Sequence, residues 1–222
     1  MSAETRVGLL GGTLDPIHLG HIETALAAVR ALRLDRAYVL PSNVPPHRTE
    51  QPVASSYHRF AMTALAVNGV DGLLASDLEL TTPGTSYTAD TLTRFREATG
   101  LTASQIFFIT GADAFAEIAT WHRYPEVLDL AHFIVVSRPG FAAESLRQRL
   151  GTLASRMTSV TPDDPRAATS ESRTASNESR TVNRESRTAN REPRVFLVNA
   201  ATPDVSSTEI RKRLMEIGRA HV

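Results

Sequence analysis

Apolar residues fall along this chain in two alternating rhythms. Unbroken apolar runs at 7–10, 37–40, 106–110, 132–136 and 195–198 predict short strands buried on both faces. Between them, apolar positions recur at helical spacing. Ile22, Ala25, Leu26 and Val29 follow the first run; Phe60, Ala64 and Val67 follow a capping Ser55; Leu92 and Phe95 stripe a helix predicted from Thr88 to about Ala98. Short helical pieces are predicted at 114–118 and 125–128, a helix at 142–155, and an irregular strand at 73–80. A last helix opens after Val205, capped by Ser206 or Ser207, with Ile210 and Leu214 expected toward the core.

Strands alternating with helices at this pace predict parallel βαβ units. The expected class is α/β, a Rossmann-like open and mainly parallel sheet with helices on both faces. In such sheets a ligand lies beyond the strand C-termini. Gly11, Asn43, Asp113 and Arg138 all fall there.

Composition narrows the partners. The chain has 222 residues, 41% of them hydrophobic, enough for one core and one domain over 1–222. Lys+Arg and Asp+Glu both number 24, which speaks against a general nucleic-acid or membrane-surface binder. No stretch is long and apolar enough to span a membrane, and residues 1–6 are too polar for a signal peptide. The absence of cysteine rules out disulfides and suits a reducing cytoplasm. Oligomeric state is not legible, and a homo-oligomer is compatible with all of this.

From Glu171 the chain reads ESRTASN, ESRTVNR, ESRTANR, EPR, a degenerate seven-residue repeat. An apolar seam is missing, so period seven does not make a coiled coil here. With so little apolar area to offset its ordering entropy, 160–194 is expected to be a disordered low-complexity insertion.

The chemistry concentrates in residues 11–21, GGTLDPIHLGH. A strand, a tight turn and a helix start leave backbone N–H groups and the positive end of the helix dipole facing outward, where a phosphate can sit. Gly11 and Gly12 let the backbone approach it. His18 and His21 are three apart and can point at one anion. Taken singly, a Gly-Gly after a strand is an ordinary turn, and a histidine pair at this spacing also suits zinc. Near the other end VSSTEIR, 205–211, brings a second hydroxyl-rich helix start with Arg211 one turn in. By itself that is a common capping sequence.

The eleven-residue string resembles the nucleotidyltransferase signature GGTFDPxHxGH, with Leu14 in place of Phe. VSSTEIR is similar to the ISSTxIR of nicotinate-nucleotide adenylyltransferases, NVPPHR from Asn43 to their NxPPHK loop, TSYTADTL from Thr85 to their SYTxxTL, and 111–140 to their central block. The resemblance implies transfer of AMP from ATP to nicotinate mononucleotide, giving deamido-NAD and pyrophosphate, with Mg²⁺ carried by the triphosphate. It implies that Gly11, Gly12, Thr13, His18 and His21 meet the α-phosphate, and that Ser207, Thr208 and Arg211 hold the outgoing phosphates. Asp113 would lie near the adenosine ribose. Asn43 and Arg48, the latter standing where lysine is usual, would hold the mononucleotide phosphate. Tyr87 and Trp121 would sandwich the pyridine ring; Thr88 and the backbone near His122 would take its carboxylate. Arg138 is grouped with the acceptor-binding residues. No protein metal site is expected.

Two rivals stay open on sequence alone: another adenylyl- or cytidylyltransferase of the superfamily, such as one using phosphopantetheine, and an inactive nucleotide-binding module. The tail EIGRAHV, 216–222, reads like a translated sequencing adapter, so a non-native end is expected there.

Overall fold

The computed structural model describes residues 5–46, 52–161 and 193–219. Among them, β1 (Val7–Gly12), β2 (Arg36–Pro41), β3 (Leu73–Ala75), β4 (Ile106–Gly111), β5 (His132–Val136), β6 (Met157–Val160) and β7 (Val195–Val198) build one sheet. Its order is β3-β2-β1-β4-β5-β7-β6, and every neighbouring pair is parallel. The expected α/β class is therefore what the chain adopts. The strand order reverses between β1 and β4, and that switch point opens a crevice beyond their C-terminal ends.

Alternation of side chains across the pleat divides the interior in two. Val7, Leu9, Phe108, Phe133 and Leu197 join one core with α3 (Thr88–Thr99) and α4 (Ala112–Phe115). Leu10, Phe107, Ile109, Ile134 and Val136 join the other with α1 (Leu19–Leu32). Ala25, Ala28 and Ala31 are fully buried on α1, small enough to bring the helix close to the sheet. At Gly8 a Cβ would stand 2.9 Å from Ala37, Ile109 and Leu34, so only glycine lets that helix end and β2 close on β1.

Several expectations change. β1 runs on through Gly11 and Gly12, pairing with Leu40 and Pro41 of β2. The stretch expected as an irregular strand holds only the three residues of β3. β6 had no expectation, because Thr158 and Ser159 interrupt its apolar ends. The helix expected at 142–155 is broken into α5 (Leu146–Arg149) flanked by 3-10 turns, since Gly151 gives no support to a continuous helix. α2 (Ser56–Val67) begins at its Ser55 cap, but its buried residues are Arg59, Thr63 and Val67 instead of Phe60, Ala64 and Val67. α6 (Ser207–Arg219) leaves Leu214 59% exposed; the helix is held by its first turn, and Leu214 does not reach the core. Most of the expected insertion, 162–192, and the tail residues 220–222 lie outside the described residues.

Candidate active site

β1 ends at Gly12, whose carbonyl accepts from the Ser42 N–H at 2.8 Å. The next turn carries Thr13, then Leu14 at φ 51. Buried Asp15 accepts from the N–H groups of Val53 at 2.8 Å and Ala54 at 3.2 Å, fastening the loop from both sides. His18 is the residue before α1, and its N–H donates to His21 Nδ1 at 3.2 Å. The two imidazoles lie 3.8 Å apart between ring centres. The two histidines that the spacing singled out are thus side by side.

The glycine that matters most to them is a different one. Gly11 and Gly12 close the strand without a left-handed backbone; at Gly11 a Cβ would merely touch the Phe108 ring at 3.4 Å. At Gly20 a Cβ would fall 3.0 Å from the His18 ring. Gly20 therefore lets His18 fold back over the first turn of α1, and the second G of HLGH was the available sign of it.

Burial sets the charge state of this pair. Desolvation first, then the positive charge of Arg138, lowers the His18 pKa. Desolvation, then His18, then Arg138, holds His21 down at about 3. Both rings are neutral at pH 7. Because His21 Nδ1 accepts from the His18 backbone, the neutral ring carries its proton on Nε2, which is left to donate. Arg138 itself ion-pairs with Asp113 at 3.4 Å. Gly111 makes the space for that pair: a Cβ there would lie 2.5 Å from Asp113 Oδ1 and 2.8 Å from Arg138 Cδ. Arg138, grouped with the acceptor-binding residues, stands where its charge acts on the histidines and Asp113.

The start of α6 comes to the same loop. Ser207 Oγ donates to the Pro16 carbonyl at 2.8 Å. Arg211 donates to the Asp15 carbonyl, sits 3.8 Å from the Asp15 carboxylate, and reaches Thr208 Oγ1 at 3.2 Å. Ser206 caps the helix, accepting from the Glu209 N–H. Two helix N-termini, α1 and α6, thus converge beside one turn, with Arg211 and Arg138 as cations near neutral imidazoles. Such a place favours a polyanion.

Beyond β2 a second group assembles. Asn43 donates its N–H to Ser86 Oγ at 2.8 Å and its side-chain amide to the Thr82 carbonyl at 3.1 Å. The Ser86 N–H in turn donates to the Val44 carbonyl. This lacing delivers Tyr87, which precedes α3, and Thr88, its first residue. The ring stacked on Tyr87 is His122, with centres 4.3 Å apart and planes at 29°. Trp121 packs edge-on against Phe108 and Phe133, so His122, the neighbour of Trp121 in sequence, is the ring in direct contact with Tyr87. An aromatic beside a histidine gave no sequence cue as to which ring would turn outward. Glu79, which sequence reasoning passed over, accepts from Thr91 Oγ1 at 2.8 Å, and burial raises its pKa. Arg48 lies outside the described residues.

A cleft of about 610 Å³ continues from Arg138 along the ends of β5 and β7, bounded by Phe141, Asn199 and Thr202. Another of about 590 Å³ lies between α2 and β3, at the strands' other end and away from the histidines. Among the described residues no group of three or more His, Asp or Glu side chains could hold a metal ion, and no helix is long and apolar enough to cross a membrane.

Residues 9–213 match the cytidylyltransferase-like family model. A relative named "Probable nicotinate-nucleotide adenylyltransferase" from Desulfatibacillum aliphaticivorans is 46% identical over 60% of this chain and 60% of its own. One of the same name from Shewanella frigidimarina (strain NCIMB 400) is 31% identical over 95% of this chain and 89% of its own. The fold is shared with the Plasmodium falciparum nicotinic acid mononucleotide adenylyltransferase complexed with NaAD, at TM-score 0.59 and 18% identity over 94% of this chain and 83% of that one.

Proposed function

The chain belongs to the cytidylyltransferase-like family and, within it, to the nicotinate-nucleotide adenylyltransferases; from that membership and the geometry above we propose that it transfers AMP from ATP to nicotinate mononucleotide, releasing pyrophosphate. A phosphate oxygen of the mononucleotide attacks the α-phosphorus of ATP, and the bond from that phosphorus to the oxygen bridging to the β-phosphate breaks. Two anions must be brought together in line, so the protein's task is alignment and charge neutralisation.

The observation that carries this reading is the meeting of α6 with the β1 to α1 turn, through Ser207 to Pro16 and Arg211 to Asp15. It supports one triphosphate spanning both helix starts. His18 and His21 donate N–H groups to the α-phosphate, Thr13 supporting them, while Ser207, Thr208 and Arg211 take the departing phosphates. Asp113 and the cleft beside Arg138 suit the adenosine. Asn43, with Arg48, takes the mononucleotide phosphate; Tyr87, Thr88 and the 121–122 segment take the pyridine. ATP enters with Mg²⁺ on its own phosphates. Asp15 and Asp113 are paired with Arg211 and with Arg138, in keeping with an ion carried by the substrate. A chain without cysteine suits work in the cytoplasm.

Pyrophosphate release measured across acceptors tests the proposal. Nicotinate mononucleotide should support it and phosphopantetheine should not. Release with phosphopantetheine alone, or ATP binding with no release on any acceptor, overturns the reading.

A further inference from the structure

Arg59 is one of the most deeply buried side chains of the protein, at 1% exposure, and it lies on the inner face of α2, where a helix would ordinarily put an apolar residue. Its guanidinium donates to three carbonyls from three segments: Nη1 to Thr13 at 2.6 Å, Nη2 to Asn43 at 3.1 Å and Nε to Ala54 at 3.2 Å. Thr13 follows β1 and leads to His18. Asn43 follows β2 and opens the loop laced to Ser86 and Tyr87. Ala54 also donates its N–H to Asp15, whose carbonyl receives Arg211. One rigid fork therefore joins the turn of the ATP phosphates, the loop of the acceptor phosphate and the segment bracing Asp15.

We infer that Arg59 is a positioning residue that sets the distance between the two reacting phosphates by holding the Thr13 turn and the Asn43 loop in fixed register. It is too buried to touch either substrate, and it acts through the two backbones. The inference rests on the adenylyl-transfer reading. The chemical reason is the shape of the group. A planar guanidinium directs several N–H bonds at fixed angles, whereas an ammonium on a flexible stem makes its bonds from one point and cannot span three separated carbonyls. Transfer in line is sensitive to such register, because misplacement by about 1 Å can cost on the order of 100-fold in rate.

The test compares wild type with Arg59→Lys and Arg59→Gln. Melting temperature, calorimetric binding of ATP and of nicotinate mononucleotide separately, and kcat and KM for pyrophosphate release are measured for each. For Arg59→Lys we expect a folded protein that binds each substrate within about threefold of wild type, while kcat falls roughly 30- to 100-fold. Arg59→Gln, which can satisfy fewer of the carbonyls, should lose more kcat with KM again nearly unmoved. A kcat equal to wild type in folded Arg59→Lys overturns the inference and leaves the adenylyl-transfer reading intact. So does loss of kcat only in proportion to lost fold, or failure of both variants to fold, since each marks a purely structural role. A wild type without activity on nicotinate mononucleotide overturns the reaction and the positioning role together.

Discussion

His21 titrates far from its ordinary value because the same burial that aims it also strips it of water. Its pKa drops from 6.5 to about 3, and that of His18 is lowered too. Between pH 3 and 6.5 the unfolded chain therefore takes up a proton at His21 that the folded protein refuses, and the lowered His18 acts in the same direction. Folding stability contributed by the pair is complete above pH 6.5 and is lost as pH falls below it. Thermal melts should show a falling melting temperature from pH 7 to pH 4.5, with a shallower slope in His21→Ala. Equal slopes would show that the ring is not held neutral. In the same variant, and in His18→Ala, loss of an N–H donor to the developing charge should lower kcat by roughly 10² to 10³, with ATP binding changed less. At this scale the sequence was most legible where a motif fixes spacing, as for His18 and His21. It was least legible where a partner arrives from afar. The sequence placed the 121–122 segment near Tyr87 and both Asp113 and Arg138 at the strand ends, but not that the His122 ring stacks on Tyr87 or that Arg138 pairs with Asp113.

At the scale of elements, what could be read depended on how purely apolar an element was. β4 and β5 are buried on both sides of the sheet, and their runs IFFIT and HFIVV gave their bounds almost to the residue. α2 shows the reverse. Its inner face holds a guanidinium satisfied by backbone carbonyls and a threonine bonded to the Arg59 carbonyl, so the apolar stripe held at Val67 but fell one residue off at Phe60 and Ala64. The α1 start separates local propensity from function. Replacing Gly20 by alanine favours the helix intrinsically, yet its Cβ would press on the His18 ring at 3.0 Å. Gly20→Ala should therefore keep or raise the melting temperature while lowering kcat about tenfold, a typical loss for a displaced donor. An unchanged kcat would mean that His18 has another place to stand.

Over the whole molecule, β6 and β7 are parallel neighbours, Met157 beside Val195 and Val160 beside Val198. The chain must cross back from the end of one to the start of the other, which takes about a dozen residues. The repeats at 171–191 lengthen the sequence between those two strands well beyond that. Deleting 171–191 leaves a connection long enough for the return, so kcat and melting temperature should stay at wild-type values. A collapse of either would assign the repeats a place in the fold. The same breadth of separation governs the meeting of α6 with the β1 to α1 turn. Ser207 and Pro16 are 191 positions apart, and Arg211 and Asp15 are 196 apart. During synthesis both imidazoles leave the ribosome long before the hydroxyls and guanidinium that complete their site exist. On the proposed reading, an unfinished polypeptide has nowhere to seat the leaving pyrophosphate, and the cell's ATP is safe from it until α6 has been made.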